Sequence, residues 1–424
     1  MDKSLYRVIP FIYYSSFRLE VKNPKPLVVC LFLTLLKAIK RIVFLKFKYP
    51  YLKSVFYFEP TINNRKSLKT TKTDIDPTII ESCDKPYGYF PEAWIYLYSF
   101  INIGGFLSYY KKQKQEDQAL IRFFFEDIFL SVGYYKVIDL CLKRNTQLKV
   151  IIMANDHVPC AMCLKYLAPK YNVKTIYTQH ASVTERFPNL LFDYSFLDGM
   201  ESYEKYAKIG NIKGKVYLIG SPRFDEIYMN YKKSENQSIG IAINSLDNIE
   251  KLYNLCIFLV NNGVRKVTLR PHPCMESKLS WEKFIQLGIE MSYPSRESSF
   301  KYLERCNYLI SNESSIHLDA AMVGVPSLLY NFSDFEVQDW YGYLKKGLMP
   351  IAKTPYDVLK ILNEGRIVNS KLVHYYNASH GTLIEGKVGS IISKYINTLV
   401  KRGDTFDLDK QYFNYTKNNY YTIL

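Results

Sequence analysis

The chain has 424 residues, 48% of them hydrophobic, and a formal net charge of +16. That length accommodates two or three domains with a sizeable core, and the composition is that of a globular protein, which excludes fibrous and disordered classes. The eight cysteines are scattered without a disulfide framework, so a reducing compartment is expected; the one C-x-x-C pair, Cys160 and Cys163, has no second pair beside it and reads as core rather than zinc or redox chemistry.

The charge is concentrated at the N-terminus. Residues 1–73 carry 15 Lys or Arg against three acids, a balance of +12 that leaves +4 for all the rest. Within this region, "PLVVCLFLTLLKAIKRIVFLKFK" (26–48) has a longest uncharged run of 11 residues, too short to cross a bilayer. As a helix it places Lys37, Lys40, Arg41 and Lys48 on one face and Lys46 on the other, a partly amphipathic pattern suited to an anionic membrane surface. The expected location is therefore cytoplasmic, peripheral at the inner face of the cell membrane. Positive charge also attracts nucleic acid, but no helix-turn-helix, zinc knuckle or glycine-aromatic RNA motif is present, and no nucleic-acid partner is expected.

Two aromatic-rich helical stretches follow, near 91–112 and 117–145. From Leu148 a βαβ rhythm begins: strand "LKVIIMAND", helix "VPCAMCLKYLAPKY", strand "VKTIYTQH", then "FDYSFLDG", helix "ESYEKYAKI" and strand "KVYLIGSPRFD". The polar "YMNYKKSENQS" (228–238) reads as a linker. The rhythm then resumes with "IGIAIN", the helix "NIEKLYNLCIFLVNNG", "KVTLRPHP", "SWEKFIQLG", "IEMSYP", "SSFKYLERC", "NYLISNESS", "IHLDAAMVGVP" and "SLLYNF", before a mostly helical tail from about Thr354. The expected fold is α/β: a basic, partly helical N-terminal region (1–75), two Rossmann-like domains (76–230 and 238–353) and a helical C-terminal tail (354–424).

Ligands of such sheets sit at the carboxyl ends of the strands, and a ligand shared by two of them in an interdomain cleft. The chemistry-bearing residues collect at those ends. In the second domain one strand stops on Arg270-Pro271-His272-Pro273. Another runs into Asn312-Glu313-Ser314-Ser315 at the start of a helix, where free backbone N–H groups and hydroxyls suit a phosphate. Asp319, one turn on, could accept from ribose hydroxyls, and Gly324 and Pro326 end that helix. In the first domain the strand ends carry Asp156, then Gln179, His180, Glu185 and Arg186, then Asp198, then Ser221 and Arg223. Phosphate-stabilising groups on one side and carboxylates on the other suit transfer from a phosphate leaving group. No G-x-x-x-x-G-K-[ST] and no G-x-G-x-x-G after a strand is present, which argues against a P-loop NTPase and a nicotinamide enzyme.

"RPHP" together with "SNESSIHLDAAMVGVP" resembles the nucleotide half of GT-B glycosyltransferases of bacterial surface polysaccharides. The pattern is similar to polysialyltransferases and Kdo transferases, which use CMP-sugars, and to CDP-glycerol glycerophosphotransferases. "YTQHASVTERFP" and "GSPRFD" resemble the first-domain loops of capsule proteins and of UDP-GlcNAc 2-epimerase-fold relatives. The resemblance covers about residues 148–340. It implies a metal-independent, inverting glycosyltransferase with no cofactor beyond a nucleotide-activated sugar, acting on a capsule or lipopolysaccharide glycan or a lipid-linked glycan. His272, Ser314 and Ser315 would contact the donor phosphate; Arg270, Asn312, Glu313, Ser221 and Arg223 would line the donor site. Asp319 stands where epimerase-fold proteins carry a ribose-binding Glu. Gln179, His180 and Arg186 would face the acceptor. The two-acid base motif is reduced here to "LDG" at Asp198, so the base is open among Asp156, Glu185 and Asp198. Two other readings are CDP-polyol phosphotransfer and a non-catalytic scaffold of a membrane-bound polysaccharide assembly.

Overall fold

The computed structural model describes residues 24–43, 47–72, 77–79, 90–155, 158–184, 187–232, 234–235 and 237–424. Three residues singled out from the sequence, Asp156 and Glu185 as bases and Arg186 at the acceptor, lie outside them. The chain divides into two compact units: residues 1–198, 202–223 and 387–424, and residues 199–201 and 224–386.

The first unit is built on an eight-stranded sheet. In chain order its strands are β1 (Val55–Phe58), β2 (Pro77–Ile79), β3 (Val150–Met153), β4 (Lys174–Thr178), β5 (Leu191–Leu197) and β6 (Lys213–Leu218), closed by the C-terminal β13 (Phe413–Tyr415) and β14 (Tyr421–Ile423). The spatial order is β13-β14-β6-β5-β4-β3-β1-β2, all parallel except the β13–β14 hairpin. β1 and β3 read VFYF and VIIM and are buried at every position. Continuous apolar runs of this kind belong to parallel strands covered on both faces.

The second unit holds a six-stranded, fully parallel sheet: β7 (Ser238–Ala242), β8 (Val267–Arg270), β9 (Glu290–Met291), β10 (Cys306–Ser311), β11 (Ser327–Tyr330) and β12 (Ile351–Ala352), in the order β12-β11-β10-β7-β8-β9. Counted from β7, this is the doubly wound order 3-2-1-4-5-6, whose direction reverses between β7 and β10. On one face of this sheet Ile241, Leu269, Ile310 and Leu328 of the strands pack with Leu255 and Phe284 of the helices.

Each long helical stretch breaks in two. Helix Glu92–Ile101 is separated from Ile103–Lys111 at Asn102, whose Nδ2 donates to the Tyr98 carbonyl at 2.7 Å. Such local side-chain bonding competes with helix propagation. Helix Gln115–Phe123 gives way to Phe125–Arg144 at Phe124. Helices Glu92–Ile101 and Phe125–Arg144 cross at Gly133, where a Cβ would lie 2.0 Å from the Ile95 carbonyl oxygen; the Gly133 N–H instead donates to Ser99 Oγ. Cys160 and Cys163 sit as free, buried thiols on helix Pro159–Leu167, and burial pushes Cys163 up to about 12.

The tail is shared. Residues to 386 stay in the second unit, while helix Val388–Arg402 and the β13–β14 hairpin belong to the first, so strands join the expected helices there. The segment read as a linker at 228–238 begins inside helix Asp225–Asn230, and the units divide earlier, at 223/224. The N-terminal region (1–75) supplies β1 to the first sheet rather than standing apart from it.

Candidate functional site

The carboxyl edge of the second sheet is set by register. Ser311 pairs with Ala242, and Ala242 with Arg270, so three adjacent strands end level. With about 4.8 Å between neighbouring strands, Ser311 and Arg270 lie about 10 Å apart across β7. Everything just beyond them, Asn312–Ser315 on one side and Pro271–His272 on the other, issues from one edge. The strand order reverses between β7 and β10 at this same edge, where open α/β sheets leave room for a ligand.

His272 is half-buried in the turn after β8. Its carbonyl accepts from the N–H groups of Met275 and Glu276, which fixes the turn. Its Nδ1 accepts from the Cys274 N–H at 3.3 Å, with the Cys274 sulfur 3.0 Å away. An Nδ1 engaged as acceptor puts the proton of the neutral ring on Nε2, which becomes a donor. Burial lowers the pKa of His272, and so favours that neutral form.

Ser314 and Ser315 are both half-buried. Helix Ile316–Met322 behind them has only seven residues, and its first amides are already engaged. Ile316 N–H donates to Ser314 Oγ at 3.4 Å, His317 N–H to the Ser314 carbonyl, and Leu318 and Asp319 N–H to the Ser315 carbonyl. The expected cluster of free helix amides is therefore absent at these positions, because the turn satisfies its own donors. The hydroxyls of Ser314 and Ser315 are what this turn offers a ligand. Asp319 lies half-buried one turn on, and Gly324, in the left-handed region at φ 74°, ends the segment as the sequence suggests.

Three residues expected to line the donor site make their bonds within the unit. The Arg270 guanidinium is buried, donates to Ser292 Oγ at 2.8 Å and to the Glu297 carbonyl at 3.0 Å, and lies over the Tyr302 ring. Asn312 donates from Nδ2 to Asp247 at 2.7 Å and accepts the Glu313 N–H on Oδ1. Both Glu313 carboxylate oxygens accept backbone N–H groups, of Gln338 and Trp340, at 2.7 Å each. These side chains hold the edge in shape: Arg270 anchors the strand before His272, and Glu313 pins the 338–340 loop.

Sequence reasoning did not single out Asn244, Asp247 or His317. Asp247 is buried; it accepts the Asn244 N–H at 2.7 Å as well as Asn312, and burial raises its pKa. His317 is fully buried, with Nε2 donating to the Asn312 carbonyl at 3.0 Å, and burial lowers its pKa to about 4. His317 stands inside the quoted motif, but its apolar neighbours Ile316 and Leu318 disguise it as core. Asp247 lies in an otherwise unremarked loop, and only folding brings it to Asn312.

In the first unit, Gln179 is buried and acts as a staple: Nε2 donates to the Ala181 carbonyl and Oε1 accepts the Asp198 N–H, both at 3.0 Å. It thereby ties the ends of β4 and β5 together. His180 is half-buried beside it, Asp198 is buried at the end of β5, Ser221 is buried after β6, and Arg223 is half-buried. Gly199 of "LDG" has a packing reason of its own: a Cβ there would lie 2.5 Å from the Tyr375 carbonyl oxygen.

No family model matches this sequence, and no curated protein matches it. Solved structures do match. A UDP-N-acetylglucosamine 2-epimerase is similar with a TM-score of 0.50 and 12% identity, over 84% of this chain and 97% of that one. The UDP-GlcNAc 2-epimerase of Neisseria meningitidis, solved with UDP-GlcNAc, has a TM-score of 0.48 and 10% identity over 82% of this chain and 99% of that one. A variant of the wall teichoic acid polymerase TagF, soaked with CDPG, has a TM-score of 0.46 and 15% identity over 89% and 99%. Identities this low speak to the fold alone, and the fold is of the GT-B type, two Rossmann-like units each with its own parallel sheet.

Proposed function

We propose that this chain is a glycosyltransferase that uses a nucleotide-activated sugar and holds the donor phosphate at the carboxyl edge of its second sheet. The observation that carries the reading is the level ending of β10, β7 and β8, which delivers Ser314, Ser315 and the Nε2–H donor of His272 to one edge. A neutral imidazole donor and two hydroxyls suit phosphate oxygens, and charge that develops on a departing phosphate is stabilised by donors already in place. Asp319 is the ribose contact in this reading.

The reaction breaks the bond between the anomeric carbon and the phosphate oxygen and forms one from that carbon to an acceptor hydroxyl oxygen. The hydroxyl proton passes to a carboxylate, one of Asp156, Glu185 or Asp198, and the nucleotide leaves with its phosphate. The motif resemblance favours a CMP-linked donor of the sialic acid or Kdo type and a capsule or lipopolysaccharide glycan as acceptor. No metal and no cofactor enters this scheme.

The test is thermal unfolding in the presence of CMP, CDP, UDP or GDP. Ligand at about 100 times its dissociation constant adds about 2.7 kcal/mol to stability, a shift that is easily read. Cytidine nucleotides are expected to protect most, and His272→Ala to remove the protection. If no nucleotide raises the melting temperature, the transferase reading fails and a scaffold role takes its place. Release of CMP from a CDP-polyol, with its phosphate retained in product, would instead identify polyol-phosphate transfer.

A further inference from the structure

The helix Leu27–Val43 turns a different side outward from the one its charge pattern suggests. Cys30, Thr34 and Ala38, four residues apart along one stripe, are buried. The Cys30 thiol reaches the Arg122 carbonyl at 3.5 Å. Beside that stripe, Arg41 Nε pairs with Glu92 at 2.8 Å and Lys37 pairs with Glu126. Two of the cations expected to meet a membrane are thus matched by acids of the protein's own helices. The opposite side carries Val28, Phe32, Leu35, Leu36, Ile39 and Val43, each between 43% and 75% exposed. At 100° per residue these six lie within an arc of about 100°. Phe123, next to the Arg122 that receives the thiol, is also exposed.

We propose that this outer face docks flat on the headgroup–acyl boundary of an anionic lipid bilayer, with the apolar side chains inserted. A continuous apolar stripe of this length is not left in water without a partner. The charge beside it selects the partner. Lys25 and Lys40 are exposed at the start and edge of the helix and Lys48 is exposed beyond it in sequence, in a region whose first 73 residues carry +12. A second copy seated on the face by two-fold symmetry would set these same cations against one another. Anionic headgroups complement them instead. Among the described residues no helix is long and apolar enough to cross a membrane, so the helix lies in the interface rather than through it. The inference is independent of what the second unit binds.

Sedimentation of the full chain with phosphatidylcholine vesicles, with and without phosphatidylglycerol, tests this. The chain is expected to pellet with the anionic vesicles and to keep part of that binding at high salt, because screening weakens the lysine contribution and leaves the apolar one. Phe32→Glu with Leu36→Glu should lower the partition at least about tenfold at an unchanged melting temperature, since both side chains face outward. Lys40→Gln should lower it less. Phe32→Trp supplies a positive signal, a blue-shifted emission that appears only with vesicles. The proposal is overturned if the wild type stays in the supernatant with anionic vesicles, or if the double variant binds like the wild type. It is equally overturned if the wild type is a dimer in the absence of lipid that the double variant converts to a monomer, since a second copy then covers the face.

Discussion

Two buried carboxylates in this molecule do opposite work. Asp409, in the C-terminal part of the first unit, accepts four hydrogen bonds: from Tyr217 and Tyr395 hydroxyls at 2.8 and 2.9 Å, from Lys215 at 2.5 Å and from Thr405 at 3.2 Å. A cation and three hydroxyls leave it no capacity for a ligand. Burial pushes Tyr217 and Tyr395 far above the ordinary phenol range, so both remain donors. The cluster fastens helices Val388–Arg402 and Phe406–Tyr412 to β6. Asp247, in the second unit, accepts from the Asn312 amide and the Asn244 N–H, has no salt-bridge partner among the described residues, and has a pKa raised by burial. It shapes the edge from which His272, Ser314 and Ser315 project. A carboxylate neutralised by its own fold is a fastener; polar groups left at a strand edge, braced from behind, are available for chemistry.

That contrast predicts activity and stability effects that separate. The largest expected effect is on turnover: alanine at the true base among Asp156, Glu185 and Asp198 should cut the rate by about 10² to 10⁴ while nucleotide protection persists. Three fully active single variants would exclude all of them. His272→Ala should lower turnover by about 10² to 10³ with little change in denaturant midpoint, because the ring is half-buried and its hydrogen bonds among the described residues are to Cys274 of its own turn. Asp409→Ala should do the reverse. Removing one partner of a largely buried ion pair costs about 3 kcal/mol in denaturant unfolding, and a midpoint like that of the wild type would show that Asp409 does not fasten these helices.

A pH titration of stability sharpens the contrast further. Burial holds His317 at about 4 when folded, against about 6.5 when unfolded, so the unfolded chain binds more protons between those values. This residue's contribution is complete above about pH 6.5 and is lost as the pH falls toward 4, by about 3 kcal/mol in all. His317→Gln should flatten the stability curve in that window, whatever its absolute stability. The smallest effect is expected from Ser314→Ala or Ser315→Ala, about two- to tenfold in turnover, the range of a single neutral hydrogen bond.

The α/β rhythm from Leu148, the parallel sheets and most helix positions were legible from sequence, because buried parallel strands are apolar runs and helices carry their own period and caps. The edge residues were legible too, since "RPHP" and "NESS" interrupt those runs where strands must end. The N-terminal β1 and β2 and the C-terminal hairpin were not. A four-residue VFYF beside basic segments has no local mark that distinguishes a central strand from a helix turn, and its partner β3 lies nearly a hundred residues away.

By itself the sequence determined the periodicity, the concentration of charge at one end and the residue types placed at strand ends, because each of these depends only on near neighbours in the chain. Only the tertiary structure decided which of those residues were already spent. Arg270, Asn312 and Glu313 look as available as His272 when written in a line, yet Ser292, Asp247 and the 338–340 loop occupy them in space. The same holds for the N-terminal helix, where Glu92 and Glu126 claim the cations of one face and turn the apolar face outward. Hydrogen bonds and ion pairs are saturable, so what a polar residue can do is settled by the partners that folding brings to it from distant segments.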